Sequence, residues 1–240
     1  MSYRTRVLAD TPVTYLPLDE LTGTNFASLV GGASHNGTLF GTANYGVASP
    51  RTDCVTAVAL GTTSAYTGEI DLAAAAFSPA NGSWAVEVFQ SALRIGTFVP
   101  ISVFTWRTAG GSNFLSFSGT DLKMRAFLEA GPEYVGPVIS DLAFPTPTPW
   151  HHLVWSFDAP TSALTFWVDG VATGPIVGPA PSNNPSLGSM LGASTPSSPQ
   201  ASANFDELAL YHHTLNGSHF SEPVLPAGGS GGGWGVGVPL

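Results

Sequence analysis

Along most of this chain apolar residues recur at every second position in short runs, the spacing of half-buried strands rather than helices. The clearest case is residues 150–170. Leu153, Trp155 and Phe157 share one face of its first half, and Leu164, Phe166 and Val168 share one face of its second. Ala159-Pro160-Thr161-Ser162-Ala163 between them is turn-like, so the two halves are predicted to fold back as a hairpin. Asp169-Gly170 marks a further turn, because glycine accepts the positive φ that such turns need. The continuous apolar face of this hairpin must be covered by another sheet, which predicts a two-sheet sandwich.

Other runs extend the pattern. In residues 84–90, Trp84, Val86 and Val88 face one side and Ala85, Glu87 and Phe89 the other. Residues 100–107 and 113–118 are predicted to pair around Ala109-Gly110-Gly111, and 122–128 with 133–139 around Ala130-Gly131-Pro132. Near the start, Val13, Tyr15 and Leu18 alternate toward a core. Weaker strands are expected at 55–60 and near Tyr66, one helical turn in the Ala-rich stretch 71–76, and short strands at 187–192 and 205–211. Residues 145–149 read as an extended connector, since each proline fixes φ and removes a donor.

Several of these runs carry a family resemblance. Trp150-His151-His152-Leu153-Val154-Trp155-Ser156-Phe157-Asp158, followed by Leu164-Thr165-Phe166-Trp167-Val168-Asp169-Gly170, resembles the hairpin of laminin-G-like, concanavalin A-like jelly-roll domains. Leu8-Ala9-Asp10-Thr11-Pro12-Val13-Thr14-Tyr15 is similar to the opening strand of such domains in bacterial and phage proteins. Phe205-Asp206-Glu207-Leu208-Ala209-Leu210-Tyr211 resembles their closing strand, without the glycine that usually precedes it. The resemblance implies an all-β, two-sheet antiparallel jelly roll over residues 9–222, whose first strand lies near its last. Residues 1–8 are then a lead-in, and 223–240 a Gly-rich tail.

Composition narrows the function. Only 10% of the 240 residues are charged, the net charge is −9, and the seven Lys and Arg are scattered, so no basic patch is expected to hold nucleic acid. So weak a charge pattern suits a protein covered by neighbours. The opening residues lack an apolar signal-peptide core and no apolar run reaches membrane-spanning length, so the expectation is synthesis in a host cytoplasm and no membrane insertion. The Asn-Gly pairs at Asn36, Asn81 and Asn216 are read as turns. The single Cys54 excludes an internal disulfide and is expected as a small buried residue.

The fold has glucanase members, which need two carboxylates on one strand face. Glu87 has Ala85 and Phe89 as same-face neighbours, Asp206 and Glu207 are adjacent and expected on opposite faces, and Glu129 and Glu133 span a turn. No pair is expected to serve, so the chain is expected not to be an enzyme. The pairs His151-His152 and His212-His213 should each straddle a strand, which is poor metal spacing, and no cofactor is expected. Some laminin-G-like domains bind calcium, for which Asp71 and Asp169 are loop candidates without distinguishing features.

The outward side of the same strands collects Phe89, Trp167, His152 and Glu87, a candidate contact face for glycan or protein unless loops such as 174–199 fold over it. Trp234, Val236, Val238 and Leu240 alternate in the tail like a strand that docks on a sheet edge of a neighbouring subunit. The resemblance, the low charge and the Gly-rich tail together imply a structural virion protein of a tailed bacteriophage, on a minor tail or capsid surface. It would form homo-oligomers, meet other virion proteins and touch host-surface glycans. The alternative is a carbohydrate-binding or adhesion module of a bacterial surface protein.

Overall fold

The computed structural model describes residues 2–51, 53–54, 56–61, 67–92, 100–108, 112–118, 123–128, 133–138, 149–180, 184–195, 198–199, 203–217 and 219. Tyr66 and the tail positions Trp234, Val236, Val238 and Leu240 lie outside them. One short helix, α1 (Tyr3–Ala9), opens the chain, and the Ser2 hydroxyl caps it by accepting the Thr5 N–H at 3.2 Å. The strands follow as β1 (Thr14–Leu16), β2 (Asn25–Phe26), β3 (Gly37–Gly41), β4 (Asn44–Val47), β5 (Ala57–Ala59), β6 (Gly68–Leu72), β7 (Trp84–Ala92), β8 (Pro100–Arg107) and β9 (Ser112–Ser118). The second half supplies β10 (Lys123–Phe127), β11 (Tyr134–Val138), β12 (His151–Asp158), β13 (Ala163–Val168), β14 (Val171–Val177), β15 (Ser189–Leu191), β16 (Ala193–Thr195), β17 (Ser198–Pro199) and β18 (Ala203–Tyr211).

Two eight-stranded sheets result. Sheet I runs β14-β13-β12-β7-β18-β5-β4, with β1 also on β18. Sheet II runs β11-β10-β9-β8-β15-β6-β3-β2, and β16 and β17 pair separately. The pairings are antiparallel, and β1 on β18 brings the first strand beside the last, as the jelly-roll resemblance implies. Between the sheets lies a core of Leu16, Ile70, Trp84, Phe104, Trp106, Trp155, Phe157, Phe166 and Leu208. Trp84 stacks on Phe157 at 5.7 Å and meets Trp106 edge-on at 5.4 Å, so the hairpin aromatics anchor the centre of the sandwich. No helix among the described residues is long and apolar enough to cross a membrane.

Four local expectations change. Residues 3–9 are helical and pack on the outer side of sheet I, where Tyr3, Val7, Tyr15, Phe89, Val154, Tyr211 and Leu215 form a second core. Tyr15 therefore faces that outer cluster while Leu16 and Leu18 face the main one, so Val13, Tyr15 and Leu18 do not share a side. Asp71 belongs to β6 because Ile70 and Leu72 fill the main core; the short 3-10 turn starts later, at Ala74. Finally, β14 is a strand the alternation does not reveal. Gly174 and Pro175 break its pattern, which an edge strand tolerates because one side needs no partner.

Candidate functional site

Glu87 sits at the centre of the outer side of sheet I, wholly buried on β7. Its Oε1 accepts from the Tyr3 hydroxyl at 2.6 Å, and lies 2.6 Å from His152 Nε2 and 2.8 Å from His219 Nε2. Its Oε2 accepts from the Tyr211 hydroxyl at 2.6 Å. His219 Nδ1 in turn bonds Asp10, the C-cap of α1. Burial alone would raise the Glu87 carboxyl, but the bonds and charges of His152 and His219 outweigh it and hold it well below the usual range. Burial likewise opposes charge on His219, yet Glu87 and Asp10 prevail and raise it.

The second anchor of α1 is Glu207. Its carboxylate accepts from Arg4 Nε at 3.0 Å, from the Cys54 thiol at 2.7 Å and from the Tyr15 hydroxyl, while Arg4 also reaches Asp19 at 2.9 Å. Contrary to the expectation of opposite faces, Asp206, Glu207 and Cys54 bring ligand-type atoms within 4.8 Å of one another. The reason is a β-bulge: Glu207 has φ 56°, and the register against β7 shifts between Asp206 and Ala209. Burial and the charge of Glu207 push the Asp206 carboxyl up to about 9, and burial pushes the Cys54 thiol up as well. Arg4 supplies the positive charge, and the cluster gives α1 a hydrogen-bonded seat.

Phe89, His152 and Glu87 do come together, with Phe89 stacked on His152 at 4.5 Å, but α1 covers them and all three are buried. Among the described residues the cover comes from the N-terminal helix and the loop carrying Leu215. Trp167 is half-buried against the same cluster. Asp169 holds His151 Nδ1 and the His152 N–H, each at 2.8 Å, so the calcium candidate on this turn serves to fix the hairpin. Beyond the helix the outer side of sheet I opens into a cleft of about 400 Å³, lined by Ser156, Asp158, Thr161, Thr165, Pro175 and Thr214 among others.

The outer side of sheet II is different in kind. Thr38 (β3), Asp71 (β6), Met190 (β15), Thr105 (β8), Phe114 (β9) and Phe127 (β10) stand at successive paired positions across the sheet. A second row holds Ser102, Ser116 and Arg125. They face outward because Ile70, Leu191, Phe104, Leu115, Met124 and Ala126, their chain neighbours, lie in the core. Thr105 and Ser116 are wholly buried; Asp71, Phe114, Phe127 and Arg125 are half-buried; Phe40 beside them is exposed. Phe114 and Phe127 meet edge to face at 6.2 Å. Asp71 Oδ1, Thr105 Oγ1 and Ser116 Oγ find no hydrogen-bond partner among the described residues. Burial raises the Asp71 carboxyl, and Arg107 offsets this only in part.

Glu69 and Asp71 also correct the expectation that no carboxylate pair shares a strand face. They stand two residues apart on the outer side of β6, with Glu69 wholly buried. The Glu-Ile-Asp spacing was present in the sequence, but assigning Asp71 to a helical turn hid it. The hydroxyls of Thr105 and Ser116 had no such signal, since isolated Ser and Thr in strands are common.

Comparison with known proteins agrees with this architecture. A family model described as the concanavalin A-like lectin/glucanases superfamily matches residues 63–219. A search of curated proteins finds no match. Among solved structures, domain 4 of an extracellular arabinanase from Geobacillus stearothermophilus, in complex with arabinotriose, superimposes with a TM-score of 0.58 at 18% identity, covering 88% of this chain and 96% of that one. The binding domain of botulinum neurotoxin DC, in complex with rat synaptotagmin II, gives 0.62 at 11% identity, covering 88% and 50%. Trypanosoma rangeli sialidase in complex with sialic acid gives 0.58 at 12%, covering 86% of this chain, which spans only 31% of the sialidase. With more than half its length matched and both sheets in place, the chain belongs to the concanavalin A-like lectin/glucanase superfamily.

Proposed function

We propose that this chain is a non-catalytic recognition module that binds a glycan on the outer side of sheet II. One observation carries the proposal: the half-buried rings of Phe114 and Phe127 and the half-buried Asp71 carboxylate stand in one row on a single face of sheet II. Rings cover the apolar faces of sugars, while a carboxylate accepts from their OH groups. Hydrolysis would need two carboxylates that both reach one glycosidic bond and water. Glu87 and Glu207 are consumed by α1, and Glu69 is wholly buried beside Asp71. The arabinotriose complex of a neighbour with the same fold supports the glycan reading.

The setting we favour is the surface of a tailed-phage virion, on a minor tail or capsid. The opening-strand resemblance, the 10% charged composition and the Gly-rich tail support it, and a bacterial adhesion module is the alternative. In the virion reading the alternating residues Trp234, Val236, Val238 and Leu240 dock on a neighbouring subunit. A glycan array combined with a reducing-end assay tests the central function. Retention of a defined glycan without release of reducing ends supports it. Turnover of the glycan, or no retained glycan, overturns it.

A further inference from the structure

Resting on the reading in which the tail docks on a neighbouring subunit, we infer that its seat is the side of the sandwich where β11 and β14 meet, and that residues 234–240 of a second copy lie along it. β11 is the last strand of sheet II and β14 the last of sheet I. The two adjoin. Tyr134 donates its hydroxyl to the Pro179 carbonyl at 2.7 Å, and a Cβ on Gly136 would meet the Phe166 ring at 2.7 Å. On this side Val135, Val138, Val171 and Val177 are exposed. Val171 and Val177 are the most exposed large apolar residues among those described, at 69% and 74%. Ala172, Pro175 and Pro179 beside them are exposed as well. No residue of 134–138 or 171–180 carries a charged side chain.

Area, length and charge select the occupant. The 7 residues of β14 at ~3.3 Å each make a strip about 23 Å long, and two adjoining edges make it roughly 10 Å wide. A strip of about 230 Å² is far below the ~800 Å² that each partner of a stable complex buries, so it fits one extended segment rather than the flank of a folded body. Residues 234–240, if extended, match the strip from end to end. In that form Trp234, Val236, Val238 and Leu240 share one side, while Gly235, Gly237 and Pro239 take the other. Residues 223–240 hold no charged side chain, so neither surface loses the hydration of a charge on contact. On a chain of net charge −9, an uncharged strip is also where a second copy meets least repulsion. Pro137 and Pro175 each remove an N–H from these edges, so the segment is held by its apolar side chains on the valines more than by ladder bonds.

The test is photocrosslinking of the full chain, with a photoreactive side chain in place of Val171 or Val177, after mixing light and heavy-isotope protein. Solution mass is measured beside it for the wild type, Val171→Asp and Val177→Asp. Crosslinks to residues 234–240 that join light to heavy chains are expected. Each substitution should raise the dissociation constant of the oligomer about tenfold or more. The melting temperature of the dissociated chain should hold, because both valines are exposed. An oligomer that gives no such crosslinks and ignores both substitutions overturns this seat and leaves docking between subunits standing. Crosslinks from the strip of one copy to the strip of another overturn the tail as the occupant. Crosslinks confined within single chains, or a monomer at every concentration, overturn both the seat and the docking of the tail on a neighbour.

Discussion

Glu87 gathers two tyrosine hydroxyls and two imidazoles on one buried carboxylate, so its contribution to stability depends on two protonation states. Its folded pKa is depressed, so the stabilisation it brings is present above its unfolded value of ~4.3 and is lost as pH falls through the folded one. His219 has the opposite sign. Its folded pKa is raised, so its contribution is complete below ~6.5 and disappears as pH rises through the folded value. These two groups therefore favour a stability optimum in the mildly acidic window between those values. Urea unfolding across pH should show it, and Glu87→Gln should remove it along with about 3–5 kcal/mol. An unchanged pH profile in that variant would show that the cluster does not hold the fold. At this scale the outward direction of Glu87 and His152 was legible from period two alone. Their partners Tyr3, Tyr211 and His219 were not, because they converge from distant parts of the chain.

Among the elements, α1 is the least expected, and it is tied down by several side chains. Tyr3 reaches Glu87, Arg4 bridges Asp19 and Glu207, and Val7 is wholly buried. A helix of seven residues has little stability of its own, so these contacts hold it. Tyr3→Phe should cost about 1.5–3 kcal/mol through the lost bond to a charged acceptor. Deleting residues 2–10 should expose Phe89, Tyr15 and Tyr211 and strip Glu207 of its cation, giving a chain that binds a hydrophobic dye. A truncated chain that stays dye-negative and equally stable would refute the anchoring role. The strands β7, β12 and β13 were legible because Trp84, Val86 and Val88, Leu153, Trp155 and Phe157, and Leu164 and Phe166 are large, apolar and alternate toward the core. The bulge at Glu207 was not, since nothing about a glutamate announces a positive φ, and β14 was hidden by its own glycine and proline.

For the molecule as a whole, the sandwich follows from a few aromatic runs that must bury one face each, and those runs also carry the family resemblance. The site was harder to read. Attention to exposed aromatics led to Phe89 and Trp167 on sheet I, which a helix from the lead-in closes, while the row on sheet II is assembled by strand register among residues far apart in sequence. The two outer sides now make different predictions for ligand binding, which amide hydrogen exchange separates directly. With the array-selected glycan added, slowed exchange should appear within 69–71, 102–107 and 113–117 on sheet II and leave 156–165 beside the sheet I cleft unchanged. Protection confined to 156–165 would contradict the account and move recognition to the opposite side of the sandwich.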